Sequence, residues 1–161
     1  MADRTIDKSP PYATAPRCGI QSYRVADGVV LGRGALVQLA SGYLDHWDET
    51  GKFVGIVIGG KDRAGDGVIT GEISDSPIVE AVVDESGVTL RNVAIAGTFV
   101  IGSVGVLVYS ADSDPASFTI TDTTNPPVGR AVRWHSNGVG DVQLFTPAEW
   151  LAGDAGAAWA S

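Results

Sequence analysis

Short apolar runs broken by turn-forming residues mark most of the chain. Between Gly105 and Thr146 there are four of them, Val106–Ser110, Ser117–Thr121, Val128–Trp134 and Val139–Phe145, rich in β-branched and aromatic side chains. Each is bounded by Gly, Pro, Asn, Asp or Ser, the residues that end strands, and turn signals recur about every 8–12 residues, the spacing of a β-sandwich or barrel. Tyr109, Phe118, Trp134 and Phe145 sit inside these runs and are expected in the core or a subunit contact. Upstream, Ala35–Leu39 and Tyr43–Trp47 predict two strands around a Ser41-Gly42 turn, followed by a loop over Asp48–Lys52. Phe53–Ile58 is a continuous apolar run of strand length, closed by Gly59-Gly60. Val68–Ile73 and Ile78–Val83 predict two further strands, and the Asp84–Gly87 turn predicts a hairpin joining the second to Val88–Val93. Gln21–Arg33 shows no clear period and is transitional.

The two ends differ from this body. Residues 1–19 carry Pro10, Pro11 and Pro16 among small and polar residues, with no period of 2 or 3.6. They predict an extended arm, of the kind that orders by adding to a partner's sheet edge or lying in a groove. At the other end, Thr146 as N-cap, Pro147 at the first helical position and Glu149 three residues after the cap predict a short helix, which Trp150 and Leu151 pin to the body. The remaining tail is small and flexible in composition except for Trp159. The expected fold is therefore all-β: a compact small β-barrel or sandwich over residues 20–147, preceded by the extended N-terminal arm 1–19 and followed by a short C-terminal helix and tail, 148–161.

Composition narrows the function. The chain of 161 residues is 44% hydrophobic and 19% charged, which fits one globular domain and excludes global disorder. A net charge of −8 argues against nucleic acid, whose binders need a basic face. The charge is uneven: residues 1–33 hold five Lys/Arg against three Asp/Glu, net +2, which leaves six against sixteen, net −10, for the rest. A mildly basic arm on an acidic body favours an acidic protein surface as partner. No run approaches the ~20 apolar residues of a membrane span, and the start MADRTIDKSPP lacks the apolar region of a secretory signal, so the expectation is a protein made in the cytoplasm with no membrane partner.

Catalytic and metal chemistry finds little to build on. Asp62, Gly65 and Asp66, and again Asp112-Ser113-Asp114, suggest calcium loops, but the regular oxygen spacing and closing Glu are missing, so they are expected to be solvated turn residues. His46 and His135 are the only histidines and Cys18 the only cysteine, too few for a local zinc cluster or an internal disulfide. Neither histidine lies in a nucleophile motif, and the Gly-rich stretches lack phosphate-loop spacing. The expectation is a non-enzymatic protein with no cofactor. Trp47 and Trp134, in apolar strands, are expected at the core or a subunit interface rather than as carbohydrate platforms.

The segments VLVYSADSDPASFTIT, NPPVGRAVRW and GDVQLFTPAEW, with GRGALVQLASGYLDHW and FVGIVIGG upstream, resemble the capsid decoration, or cement, proteins of tailed bacteriophages. The likeness covers roughly residues 30–150 and is one of strand and turn order, with no invariant chemical group. It implies a virion protein on the outer capsid surface, with the major capsid protein as partner and a homotrimer as the self-assembled form. It implies also that the arm reaches the shell or a neighbouring subunit. The contact residues expected on this basis are Pro10, Pro11, Tyr12 and Pro16 in the arm, together with Trp47, Trp134, Trp150 and Trp159. The competing expectation is a non-enzymatic sugar-binding β domain of a phage tail or surface protein.

Overall fold

The computed structural model describes residues 19–60, 68–71, 79–115, 117–121 and 124–155. It is built from strands, with one C-terminal helix. The strands are β1 (Ile20–Arg24), β2 (Val30–Gly32), β3 (Leu36–Ala40), β4 (Tyr43–His46), β5 (Lys52–Gly60), β6 (Val68–Thr70) and β7 (Glu80–Asp84), then β8 (Thr89–Ala96), β9 (Leu107–Ser110), β10 (Phe118–Thr119), β11 (Gly129–Ser136) and β12 (Val139–Leu144). Helix α1 spans Pro147–Ala155.

The first seven strands make a five-stranded antiparallel sheet in the order β1-β7-β5-β3-β4, with β2 and β6 paired as a separate ribbon. A parallel bridge between Val25 and Leu44 ties the residue after β1 back to β4, so the sheet curls nearly shut. The last five strands form a closed barrel, β10-β8-β12-β11-β9. Closure removes exposed edges from this half of the molecule.

Strand β5 shows why the apolar run FVGIVI is continuous rather than alternating. Phe53 and Ile56 belong to one core, shared with Leu36 and Trp47 from the sheet and with Ile95, Phe99, Val108, Phe118, Val142 and Leu144 from the barrel. Val54 and Val57 belong to a second core with Val25, Leu31, Val37, Leu44, Ile69 and Val83, inside the curled sheet. A strand covered on both faces must be apolar throughout. Phe53 and Ile56 are three apart, so strict alternation would put them on opposite faces. A bulge resolves this, since Gly55 pairs with Val37 while Phe53 pairs with Gln38. Gly55 has φ 150°, and a Cβ there would lie 2.2 Å from the Asp84 carbonyl oxygen, so the bulge requires glycine.

The predicted Ser41-Gly42 turn has both residues at positive φ, 52° and 84°, the signature of a two-residue hairpin turn of type I′. The predicted helix start is present in full: the Thr146 backbone N–H donates to Glu149 Oε1 at 3.2 Å, and the Glu149 N–H donates to Thr146 Oγ1 at 3.1 Å. Trp150 anchors α1 in the first core, but Leu151 points to solvent at 43% exposure and pins nothing. Tyr109, Phe118 and Phe145 are buried as expected, and Trp134 is half-buried against the barrel core.

Two expectations are corrected. The hairpin between Ile78–Val83 and Val88–Val93 does not form: β7 pairs with β1 and β5, whereas β8 pairs with β12 and β10. The Asp84–Gly87 segment is a crossover from sheet to barrel, because Ala81 and Val83 fill the second core and Ile95 fills the first. Gln21–Arg33 is not merely transitional either. It contains most of β1 and all of β2.

Candidate functional site

The expected contact residues separate into three groups. Pro10, Pro11, Tyr12, Pro16 and Trp159 lie outside the described residues, as do Cys18 and the Lys61–Gly67 loop. Trp47 and Trp150 are core residues, exposed by only 1% and 4%. The Trp47 ring meets Phe53 edge-on at 5.4 Å and Trp150 edge-on at 6.3 Å, and its indole N–H donates to the Ser110 carbonyl at 2.7 Å. Sheet, barrel and helix are joined through this one side chain, which leaves no surface for a partner, so the contact role expected of Trp47 and Trp150 is replaced by a structural one. Trp134 keeps partial exposure, with its Nε1 buried and without a hydrogen-bond partner among the described residues.

The polar clusters are spent on holding loops. Buried Gln38 templates the Asp48–Gly51 turn: its amide nitrogen donates to Asp48 Oδ1 at 2.6 Å, and its oxygen accepts the backbone N–H groups of Asp48 at 3.3 Å and Gly51 at 3.0 Å. Asp48 also accepts from the Thr50 hydroxyl, and chiefly that bond holds its carboxyl below the usual range. On the barrel, buried Asp141 accepts the Asn92 N–H at 3.0 Å and faces His135 Nε2 at 2.7 Å. The Asn92 bond first, then His135 and the charge of Arg133, lower the Asp141 carboxyl against an opposing effect of burial. Tyr23 donates to Glu85 at 2.5 Å, and burial and that carboxylate push its phenol upward.

The other residues with suggestive chemistry have equally local partners. Asp112 accepts the Asp114 N–H at 2.8 Å, and the same turn meets the sheet, where His46 Nδ1 lies 3.1 Å from the Ser113 hydroxyl. Among the described residues no group of three or more His, Cys, Asp or Glu is placed to hold a metal ion. An open groove of about 490 Å³ between the Asp48–Lys52 loop and α1 is lined by Leu39, Ser41, Thr50, Lys52, Pro126 and the edge of Trp150. It offers no charged cluster around a buried centre.

What stands out is apolar surface. Val100, Ile101, Val104, Val106 and Val132 are all exposed, Ile101 by 67%. The first four surround a 3-10 turn at Ile101–Ser103, between β8 and β9. Val132 lies on β11, to which this segment is bonded by Gly105 N–H to Ala131 O at 2.7 Å and Ala131 N–H to Val106 O at 3.0 Å. Single exposed valines are ordinary, but these two hydrogen-bonded segments hold five of the eight exposed large apolar side chains among the described residues, a concentration of the kind that marks contact sites. Sequence reasoning missed this surface, since apolar residues in a β-patterned chain read as core. The strongest signal was the run from Asn92 to Ala111, which carries no charged residue. The chain matches no protein-family model, and no match is found among curated proteins or solved structures.

Proposed function

We propose that this is a structural virion protein, a decoration or cement protein that binds the outer surface of an expanded phage capsid and stabilises it, as a homotrimer bridging subunits of the major capsid protein. The observation that carries this reading is the exposed apolar end of a rigid closed barrel, in a chain whose described polar clusters are committed to its own loops. Such a body suits docking rather than turnover. The segments that resemble cement proteins coincide with β3–β5, β9–β12 and the capped start of α1, so the likeness lies in the strands that build the two cores.

Stabilisation follows from mass action. A protein that binds the expanded shell and not its alternatives lowers the free energy of that state with every copy bound, and many modest contacts add through multivalency. The sugar-binding alternative needs an aromatic face on which a ring can stack. Among the described residues every Trp, Tyr and Phe is buried or half-buried, which favours the docking reading over it.

The arm supplies a test. A chain beginning at Gly19 keeps both cores and all twelve strands, so its circular dichroism and melting are expected to match the full chain. Its attachment to expanded heads is expected to weaken, because backbone bonds from the arm to a capsid or subunit edge act only in the complex. Undiminished attachment would make the arm a passive tail.

A further inference from the structure

The apolar end lies at one pole of the barrel, and the other pole is already occupied. Strand β9 begins at Leu107, beside the exposed turn, and ends at Ser110, whose carbonyl takes the Trp47 indole; just beyond, the Ser113 carbonyl takes the Leu36 N–H at 2.9 Å. The sheet therefore covers the Ser110 pole. The free pole is fixed, since the β11–β12 turn is tied to it by Gly138 N–H to Phe99 O at 2.9 Å, in addition to the bonds at Gly105 and Ala131. A surface this well held presents its valines in one arrangement, with little ordering cost on docking.

Charge selects the occupant. Beside the free pole, β11 exposes Arg130 and Arg133, and β8 exposes Arg91, none of them in a salt bridge among the described residues. The only carboxylate on β8, β11 and β12 is Asp141, which is buried on its own bonds. In a chain of net charge −8 the described residues of this pole are apolar with a positive rim. Two such poles repel face to face, but each is complementary to the acidic flank of the sheet. There Glu80 and Asp84 on β7, with Glu85 just after it, outnumber the exposed Arg24 of β1 that pairs with Glu80, and Ile20, paired with Asp84, is 48% exposed.

We propose that the free pole of the barrel docks the β1–β7 flank of a second copy of this chain, head to tail. The patch supplies the apolar centre of the contact, and the arginines and carboxylates its rim, as in interfaces of ordinary size. A head-to-tail contact leaves one pole and one flank unfilled after each addition, so it grows into a ring where the rotation closes and into an open filament where it does not. The homotrimer reading selects the closed form, a ring of three or more copies. This deepens the homotrimer part of the decoration reading and rests on that part only, with no requirement for a capsid.

Sedimentation of the purified full chain and two variants tests it. The full chain is expected to form a ring of three or more copies. Ile101→Asp disables the pole and Ile20→Asp the flank, and each is expected to weaken self-association about tenfold or more without changing circular dichroism or melting. Mixed in equal amounts, the two variants retain one intact pole and one intact flank, and a two-copy particle is expected. Val104→Asp serves in place of Ile101→Asp if that variant melts early. A monomeric full chain at high micromolar concentration, a two-fold dimer, an oligomer indifferent to Ile101→Asp, or variants that ignore each other would each overturn the proposal. Capsid attachment is read separately by co-sedimentation, so failure of the ring and failure of the decoration reading give different results.

Discussion

Trp47→Ala is expected to destabilise the fold by about 3–5 kcal/mol, the range for emptying a buried aromatic site. At this chain length that corresponds to a fall of roughly 6–20 °C in melting temperature. The side chain is 1% exposed and packs edge-on against both Phe53 and Trp150, so its removal leaves a cavity where sheet, barrel and helix meet. It also leaves the Ser110 carbonyl, on a fully buried residue, without its indole donor. Trp47→Phe isolates this second effect: most of the ring volume stays, and the lost bond should cost about 1–3 kcal/mol. Thermal unfolding of the two variants beside the unsubstituted protein checks both figures. Unchanged melting of Trp47→Ala would place the tryptophan outside the core and restore it as a contact residue.

Gly140→Ala is expected to be a damaging single-methyl addition in the barrel. A Cβ at Gly140 would lie 2.4 Å from the Arg133 carbonyl oxygen and 2.7 Å from the Phe99 ring. Neither obstacle moves easily: Arg133 is part of the β11–β12 ladder, and Phe99 is 0% exposed. Relief requires the two strands to separate or Phe99 to leave its rotamer, and overpacking of this kind costs about 1–3 kcal/mol. Denaturant unfolding gives the number. Because Phe99 directly precedes the exposed valines, self-association should fall with stability in this variant, whereas Ile101→Asp should affect association alone. Stability equal to that of the unsubstituted chain would mean that β11 and β12 are not paired through Gly140.

Much of this architecture is written in short-range pattern. The runs around Ser41-Gly42, the apolar run in β5, the four segments from Val106 to Phe145 and the Thr146 capping box all became the elements expected of them. Each depends on a local rule, whether alternation, turn chemistry or a cap. What the sequence hid is long-range. Strand β1 buries only one of its five residues even partly, so it carries no alternating pattern, and it exists because β7 offers it a partner some sixty positions downstream. The Asp84–Gly87 segment has the composition of a hairpin turn but links two different cores, a choice made by non-local packing.

The candidate surfaces were legible in the same uneven way. Trp47 and Trp150 satisfy the sequence criteria for core and for contact equally, and only the packing around Phe53 separates the two. Val100, Ile101, Val104 and Val106 are as apolar as any core strand, and their exposure follows from a 3-10 turn that carries them past the end of the barrel. The basic character of that pole is likewise invisible along the chain, because Arg91, Arg130 and Arg133 converge only when β8, β12 and β11 lie side by side.

The proposed decoration role is tested most directly by mixing the purified full chain with phage heads that lack it, in the expanded and unexpanded forms, and measuring what co-sediments. Saturable binding to expanded heads, little binding to unexpanded ones, and greater resistance of the loaded shells to heat are the expected results. Absence from the pellet with expanded heads, or equal binding to both forms with no gain in heat resistance, would contradict the role.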